Sequence, residues 1–301
     1  MRLSYCPTLT LVSIISGLSI GLCVGTSNVF ADVPNLGNAP ASQREGNSLA
    51  SEQSVEIQAP DAGARGADIK DPGPDFGFIP DSIGIVPPGR FYVESSVEFD
   101  HKDSDRSARV PLLLRVGAAQ DWEFRLETWA VQYERDSSGD ETGSGPLQLG
   151  FKHRLSQGGE GMFDPAYGFE LEFLVPVSSG GFDDGKVEPS GFINVDHTLS
   201  PSSVFTWNIG FFTPVDETDD QFLQGFLAGA YSRFVTPSVQ LYATGSLSYP
   251  ASGSEGGAVS VLGIGGYWYL SRRTVLFAGY NAGLTTESPE GSGVVGASFA
   301  F

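Results

Sequence analysis

The sequence predicts an all-β protein: a transmembrane antiparallel β-barrel of about twelve strands behind a flexible N-terminal segment. Three observations support this fold class. Short segments alternate apolar and polar residues, the number of these segments is even, and every second connection between them is acidic. The last segment, GVVGASFAF, places Val295, Ala297, Phe299 and Phe301 on one face. A strand that is apolar on one face only lays that face against an apolar phase.

Residues 1–31 have the features of a signal peptide that is cleaved before Asp32. Arg2 supplies a positive charge, residues 9–24 form an apolar stretch, and the small residue Ala31 precedes the cleavage point. An uncleaved membrane anchor is the alternative, but the apolar stretch is short for a spanning helix. A secreted chain with a membrane-spanning barrel is expected in the bacterial outer membrane.

The composition excludes some classes of function. The chain carries 17 Lys and Arg against 36 Asp and Glu, a net charge of −19. This balance argues against nucleic acid as a partner, because nothing offers a basic surface to phosphates. No run of about eighteen apolar residues follows the signal peptide, so membrane-spanning helices are not expected. Both cysteines, Cys6 and Cys23, lie in the signal peptide, so the mature chain needs no disulfide.

Residues 32–75 show no periodicity and are dominated by small, polar, Pro and Gly residues. Such a stretch has too little apolar surface to offset the entropy lost on ordering. We expect a flexible periplasmic segment here, with a small docked extension as the alternative. The predicted domains are therefore a signal peptide at 1–31, this segment at 32–75, and an outer-membrane β-barrel at 76–301.

Period-two alternation begins at Phe91 and continues to the end of the chain. The clearest segments lie at 91–99, 110–116 and 122–130, where one face is mainly apolar. Nine more candidate strands follow at 146–154, 166–176, 187–196, 204–212, 222–233, 239–249, 258–269, 274–284 and 293–301. The segment at 187–196 is ambiguous about which residues face inward. The total is twelve strands, an even number as closed outer-membrane barrels require.

The connections separate into two classes. Those after odd-numbered strands hold 16 acidic residues, and those after even-numbered strands hold 3. A soluble β-sandwich has no reason to collect its acids at one end, and a soluble ligand-binding barrel would turn its apolar face inward. A membrane barrel has short turns at one rim and longer polar loops at the other. The sequence therefore favours the membrane barrel, with its acidic loops outside the cell.

The polar faces of the first five predicted strands carry charges in complementary order. We expect these side chains to form an inward-facing charge ladder, a candidate selectivity element of the lumen. The alternative is an ion-pair network that only fills the barrel. The ladder consists of Glu94, Glu98, Arg115, Glu123, Arg125, Glu127, Lys152, Arg154, Glu170 and Glu172.

The later strands offer neutral and tyrosine-rich candidates for the lumen instead. Tyrosine presents an apolar ring with a hydroxyl tip, which suits aromatic solutes or solutes of mixed polarity. The alternative for each tyrosine is a place in the aromatic girdle near a rim. These candidates are Asn208, Tyr242, Thr244, Tyr267, Tyr269 and Tyr280.

The chain shows no convincing catalytic or metal-binding set. Three histidines occur, His101, His153 and His197, and none pairs with a serine at a spacing suited to a nucleophile. The acidic loops at 183–184 and 216–220 lack a full calcium-loop spacing, so we interpret them as solvated rim loops. The prediction is a protein that is not an enzyme and has no metal or cofactor.

The stretch GPDFGFIPDSIGIVPPGRFYVESSVEFD resembles a known family, as do LLRVG, EFRLET, LQLGFKHRLS and GKVEPS. It is the outer-membrane transporter-like family named for the meta-pathway of phenol degradation, the phenol MetA degradation family. Members have a Pro-Asp-Phe element, here Pro74, Asp75 and Phe76, and a Val-Pro-Pro-Gly-Arg-Phe element, here 86–91. Gly73 is a departure, because members often have Arg there. The resemblance implies an outer-membrane role near aromatic catabolism and supplies no catalytic residues.

The expected function is a channel or transporter for small, aromatic or hydrophobic solutes. A structural or surface-interaction barrel without transport is the main alternative, and an outer-membrane hydrolase is a weaker one. The expected partners are outer-membrane lipids, small-molecule solutes and the barrel assembly machinery. The terminal Phe299 and Phe301 resemble the aromatic end that this machinery recognises as an assembly signal in proteins of this class.

Overall fold

The computed structural model describes residues 68–70, 72–76, 80–137, 139–159, 161–180, 182, 185–216, 219–250 and 256–301. The predicted signal peptide and residues 32–67 lie outside the described residues, as do both acids of the 183–184 loop and part of the 216–220 loop. Within the described chain, no helix is long and apolar enough to cross a membrane.

The described residues form thirteen strands. Their bounds are β1 Phe91–Lys102, β2 Asp105–Ala119, β3 Trp122–Asp136, β4 Gly139–Gly143, β5 Leu147–Ser156, β6 Ala166–Val175, β7 Glu188–Ser200, β8 Ser203–Phe212, β9 Gln224–Thr236, β10 Val239–Pro250, β11 Val259–Ser271, β12 Thr274–Gly283 and β13 Gly291–Ala300.

The strands close into a twelve-stranded antiparallel barrel, which confirms the predicted fold class. Neighbours in sequence pair with each other around the ring, and β1 pairs with both β2 and β13. The closing register places Tyr92 opposite Ala300, and the backbone N–H of Phe301 donates to the carbonyl of Phe91 at 3.0 Å. In the twelve-stranded ring every strand has a neighbour on both sides, as a lipid environment requires.

The extra strand, β4, lies in the connection that the sequence predicted as a loop. It pairs only with the far end of β3, whereas β5 pairs with the first half of β3. β4 and β5 therefore share one position in the ring, and the ring still has twelve positions. In β2, the register against β3 shifts between Val110 and Pro111, where the proline has no N–H for the ladder.

The two faces of the barrel have opposite polarity. On β1, Val97 is 49% exposed and Phe99 is 48% exposed, whereas Glu98 between them is 7% exposed. Burying the acid and exposing the apolar side chains is the reverse of a water-soluble protein. The outer face is therefore the lipid-facing one. In β7, where the sequence was ambiguous, Phe192 and Asn194 face inward and Ile193 faces outward.

The barrel has two distinct rims. The short-turn rim carries the connections after β2, β5, β7, β9 and β11, and the long-loop rim carries the acidic connections, beginning with the one after β1.

Candidate functional site

The interior of the barrel holds part of the protein's own N-terminal chain. We call the described residues of 68–90 the inner segment. Its first residues bind the short-turn rim, where Ile69 N–H donates to the Arg272 carbonyl at 2.6 Å and Lys70 Nζ donates to Pro237 at 2.6 Å. Its last residues return to the same rim, where Gly89 N–H donates to the carbonyl of Gly117 at 3.0 Å.

Between these points the inner segment is buried among the inward-facing side chains. Phe76 and Val86 are both 0% exposed. The expected boundary between a flexible segment at 32–75 and the barrel from 76 therefore falls inside one buried stretch, and the first barrel strand begins only at Phe91. The stretch has no period-two pattern because its polar groups bind barrel side chains instead of a neighbouring strand.

The carboxylate of Asp75 is the point where the inner segment meets the charge ladder. Its Oδ2 atom lies 2.7 Å from Arg125 Nη1, 3.1 Å from Arg115 Nε and 3.4 Å from Lys152 Nζ. Asp75, Arg115 and Lys152 are fully buried, and Arg125 is 3% exposed. Three wall cations thus converge on one oxygen of a residue that belongs to no strand.

Arg115 contacts both neighbouring strands and the inner segment. As the strand order predicted, its guanidinium reaches carboxylates on both neighbouring strands, Glu123 at 2.7 Å and Glu94 at 3.2 Å. It also donates to two backbone carbonyls of the inner segment, those of Gly73 at 2.8 Å and Gly84 at 3.5 Å. Gly73 has φ +86°, a conformation that glycine adopts without strain and that an arginine would not.

The wall carboxylates also hold the backbone of the inner segment. Buried N–H groups need acceptors, and these carboxylates supply them. The bonds run from Asp75 N–H to Glu94 at 2.9 Å, from Phe76 N–H to Glu94 at 3.0 Å, from Val86 N–H to Glu123 at 2.8 Å, and from Ile83 N–H to Asp196 at 3.0 Å.

A second acid of the inner segment, Asp81, lies beside the same cations. Its Oδ2 is 3.4 Å from Arg125 Nη1 and 3.9 Å from Lys152 Nζ, and both bases also contact Glu170. Burial and the Glu170 carboxylate raise the pKa of Asp81 well above its usual range, and Lys152 and Arg125 oppose that rise. Around Asp81, the buried carboxylates therefore outnumber the buried bases that contact them.

Nine of the ten predicted ladder residues are buried in the interior, and Arg154 is not. Its side chain lies at the short-turn rim, where Nη2 contacts Asp121 at 2.8 Å and remains partly exposed. Arg109, which was not predicted, also lies in the interior and contacts Glu98 at 2.8 Å and Asp100 at 3.8 Å. Arg109 lies on the same inward face of β2 as Arg115, so the alternation of residues along this strand could have indicated it.

The predicted neutral candidates also contact the inner segment. Asn208 Nδ2 donates to the Asp81 carbonyl at 2.8 Å, and the Tyr267 hydroxyl donates to the Phe76 carbonyl at 3.3 Å. Tyr242 lies beside Tyr267, with the rings tilted and their centroids 5.3 Å apart. Tyr269 and Thr244 are buried on the same wall.

The prediction that Tyr280 lines the lumen is wrong. Its side chain is 47% exposed on the outer face, and the next residue, Asn281, faces inward with 6% exposure. The flanking residues of β12 are small on both faces, so the sequence pattern did not indicate which face is inward.

An aromatic wall lies nearer the long-loop rim. Phe192, Phe212 and Phe226 pack edge to face inside the barrel, with ring centroids 5.3, 5.8 and 5.4 Å apart, and Ala228 and Val261 complete the cluster. This wall was not predicted, because the inward face of β7 was ambiguous in the sequence. It offers an apolar surface opposite the charged strands.

The histidines occupy three separate places. His153 stacks on Trp122 at 4.0 Å between ring centroids, and His197 accepts from the indole N–H of Trp207 at 3.1 Å. His101 lies 3.7 Å from Glu290 at the long-loop rim. In the described part of the chain, none of these contacts places a histidine beside a serine hydroxyl.

Residues 40–301 match the family described as "Putative MetA-pathway of phenol degradation". The chain belongs to this family. Among solved structures, it is similar to the COG4313 outer membrane channel from Pseudomonas putida F1, with 12% identity, a TM-score of 0.56, and coverage of 75% of this chain and 100% of that one. At this identity the likeness shows the fold, that of an outer-membrane barrel.

Two porins show a weaker likeness. The NanC porin has 8% identity and a TM-score of 0.49, and covers 69% of this chain and 98% of its own. The KdgM porin in complex with disordered oligogalacturonate has 9% identity and a TM-score of 0.46. The match covers 70% of this chain and 99% of the porin chain. No curated protein matches this chain.

Proposed function

We propose that this chain is an outer-membrane channel for small solutes, aromatic and hydrophobic ones included, and that its inner segment closes the lumen at rest. The observation that carries this proposal is the contact of Asp75 with three wall cations, Arg115, Arg125 and Lys152. These contacts hold a stretch of irregular backbone across the interior.

The way the inner segment is attached supports a removable closure. Its described residues belong to no strand, and both its ends bind the short-turn rim. It can therefore leave the lumen without unthreading the chain and without breaking a ladder of the barrel wall.

The chemistry of the contacts supports the same conclusion. Burying charges costs several kcal/mol per ion, and apolar residues of similar volume often stabilise a protein as well or better. A permanent filling would be more stable if it were apolar. Ion pairs and hydrogen bonds can instead be exchanged for water when the segment leaves.

The aromatic wall supports a solute with apolar surface. Phe192, Phe212 and Phe226 present ring edges and faces inside the barrel, near the rim opposite the inner segment's attachment. Small-molecule sites are mostly apolar with a few placed polar groups, and this interior combines both. The family's description, which refers to phenol degradation, is consistent with aromatic solutes.

A structural or surface-interaction barrel is the second candidate, because the long-loop rim is acidic and solvated. Ion current separates the two functions. The assembly role of Phe299 and Phe301, which lie on the outer face, stays a prediction.

We expect the refolded protein to show brief openings in a planar bilayer and Asp75→Asn to stay open longer. Asparagine keeps the volume of the side chain and removes the charge that three cations share. Asp140→Asn is the matched control, because Asp140 pairs with Arg135 at 3.5 Å where both side chains are 59% exposed. A complete lack of current in the parent and in Asp75→Asn would favour the structural barrel.

A further inference from the structure

The buried charges of the interior are strongly unbalanced. In the described residues, eleven buried carboxylates face the interior against four buried bases, a surplus of seven acids. The acids are Asp75, Asp81, Glu94, Glu98, Asp100, Glu123, Glu127, Glu170, Glu172, Glu188 and Asp196, and the bases are Arg109, Arg115, Arg125 and Lys152. Without Asp75 and Asp81 of the inner segment, the wall still has a surplus of five acids.

Glu127 is a wall carboxylate that makes neither an ion pair nor a hydrogen bond with the described residues. Its side chain is 3% exposed, and neither oxygen has a hydrogen-bond partner among the described residues. Its charged neighbours include Arg125 and Arg109, but each guanidinium group forms its ion pairs with other carboxylates. A second acid, Glu172, lies two strands away in the ring, and its charge acts on Glu127. A buried carboxylate is costly to ionise without a positive group beside it, so a solute that brings a positive hydrogen-bond donor would stabilise the ionised form of Glu127.

Aromatic groups lie next to this pair of acids. Trp129, two residues along β3 on the same face, has an indole N–H without a partner in the described structure. Glu172 pairs in register with Ser190, two residues before Phe192 of the aromatic wall. A cation beside aromatic faces gains further attraction from the rings. The neighbourhood therefore combines a carboxylate for a positive end with rings for an apolar body.

We propose that the interior selects cations, that small organic ammonium ions with an aromatic or apolar body are its solute class, and that Glu127 is a specificity-determining residue. This inference rests on the proposed channel function. The acidic long-loop rim serves the same selection, because the acidic residues of its connections raise the local concentration of cations before they reach the lumen.

The first test measures binding without requiring current. The melting temperature of the refolded protein in detergent is measured with benzylammonium, benzyl alcohol and benzoate, which share a ring and differ in charge, at constant ionic strength. We expect benzylammonium alone to raise the melting temperature, and Glu127→Gln to lose most of that rise. Glu141→Gln, which removes an exposed acid of the long-loop rim, should keep it.

The second test measures selectivity in a bilayer. In a potassium chloride gradient, the reversal potential should show cation preference in the parent and in Asp75→Asn, and Glu127→Gln should reduce that preference at least twofold. A preference for anions, or equal stabilisation by benzoate and benzylammonium, would overturn the inference while the channel function stands. If Glu127→Gln does not fold, the comparison of benzylammonium, benzyl alcohol and benzoate on the parent protein tests the inference. A lack of current with selective binding of benzylammonium would reject the channel and keep the site.

Discussion

Replacing Arg115 by alanine is expected to open the lumen and to lower the free energy of unfolding by about 3–5 kcal/mol, the usual cost of removing one partner from a buried ionic cluster. Arg115 is 0% exposed and serves Asp75, Glu94 and Glu123 at once. Without it the inner segment also loses two carbonyl contacts, and the carboxylates that remain attract water and cations. Urea titration of the refolded barrel measures the stability, and single-channel recording measures current and cation preference.

Arg115→Lys should fall between the parent and Arg115→Ala. An ammonium keeps the charge but lacks the planar fork that contacts two carboxylates and the carbonyl oxygens together. If current and reversal potential match the parent in both variants, Arg115 lies outside the permeation path and the charge ladder is only a scaffold.

Placing arginine at Leu114 is expected to destabilise the barrel by about 2–4 kcal/mol, the cost of a lipid-facing charge near the bilayer midplane. Leu114 lies on the outer face of β2, between the inward Leu113 and Arg115. Arginine at Thr244 should cost much less, because Thr244 faces an interior with surplus carboxylates. Refolding titrations in lipid vesicles compare the two variants.

Equal destabilisation at both positions would contradict the assignment of the two faces. A smaller cost at Leu114 than at Thr244 would indicate that the outer face does not contact lipid.

The strands could be predicted because residues along a membrane-barrel strand face lipid and the interior in alternation, so apolar and polar residues alternate in the sequence. Val97 and Glu98 show the signal at its clearest, with apolar outside and charged inside. Where residues on both faces are small, as around Tyr280, that signal is lost and the assignment failed. The order of charges on neighbouring strands predicted that Arg115 would reach both Glu94 and Glu123, and the structure shows both contacts.

The inner segment could not be predicted in the same way, because no periodicity marks irregular backbone that is held by side chains. Asp75 and Asp81 are ordinary acids in a polar stretch when only the sequence is considered. Their burial follows from the distant residues Arg125 and Lys152, which the closed barrel brings together. The Pro-Asp-Phe and Val-Pro-Pro-Gly-Arg-Phe elements were the sequence features that distinguished this stretch.

The most direct test of the closure is to remove the inner segment and then add it back. Residues 68–86 are replaced by a short Gly-Ser linker, folding is checked by heat-modifiable mobility on a gel, and the current is recorded. We predict a steady open current that a synthetic peptide of residues 68–90 closes from the short-turn side, and that the same peptide with Asp75→Asn closes poorly. A folded deletion variant with no more current than the parent, or a current that the peptide leaves unchanged, would contradict the closure.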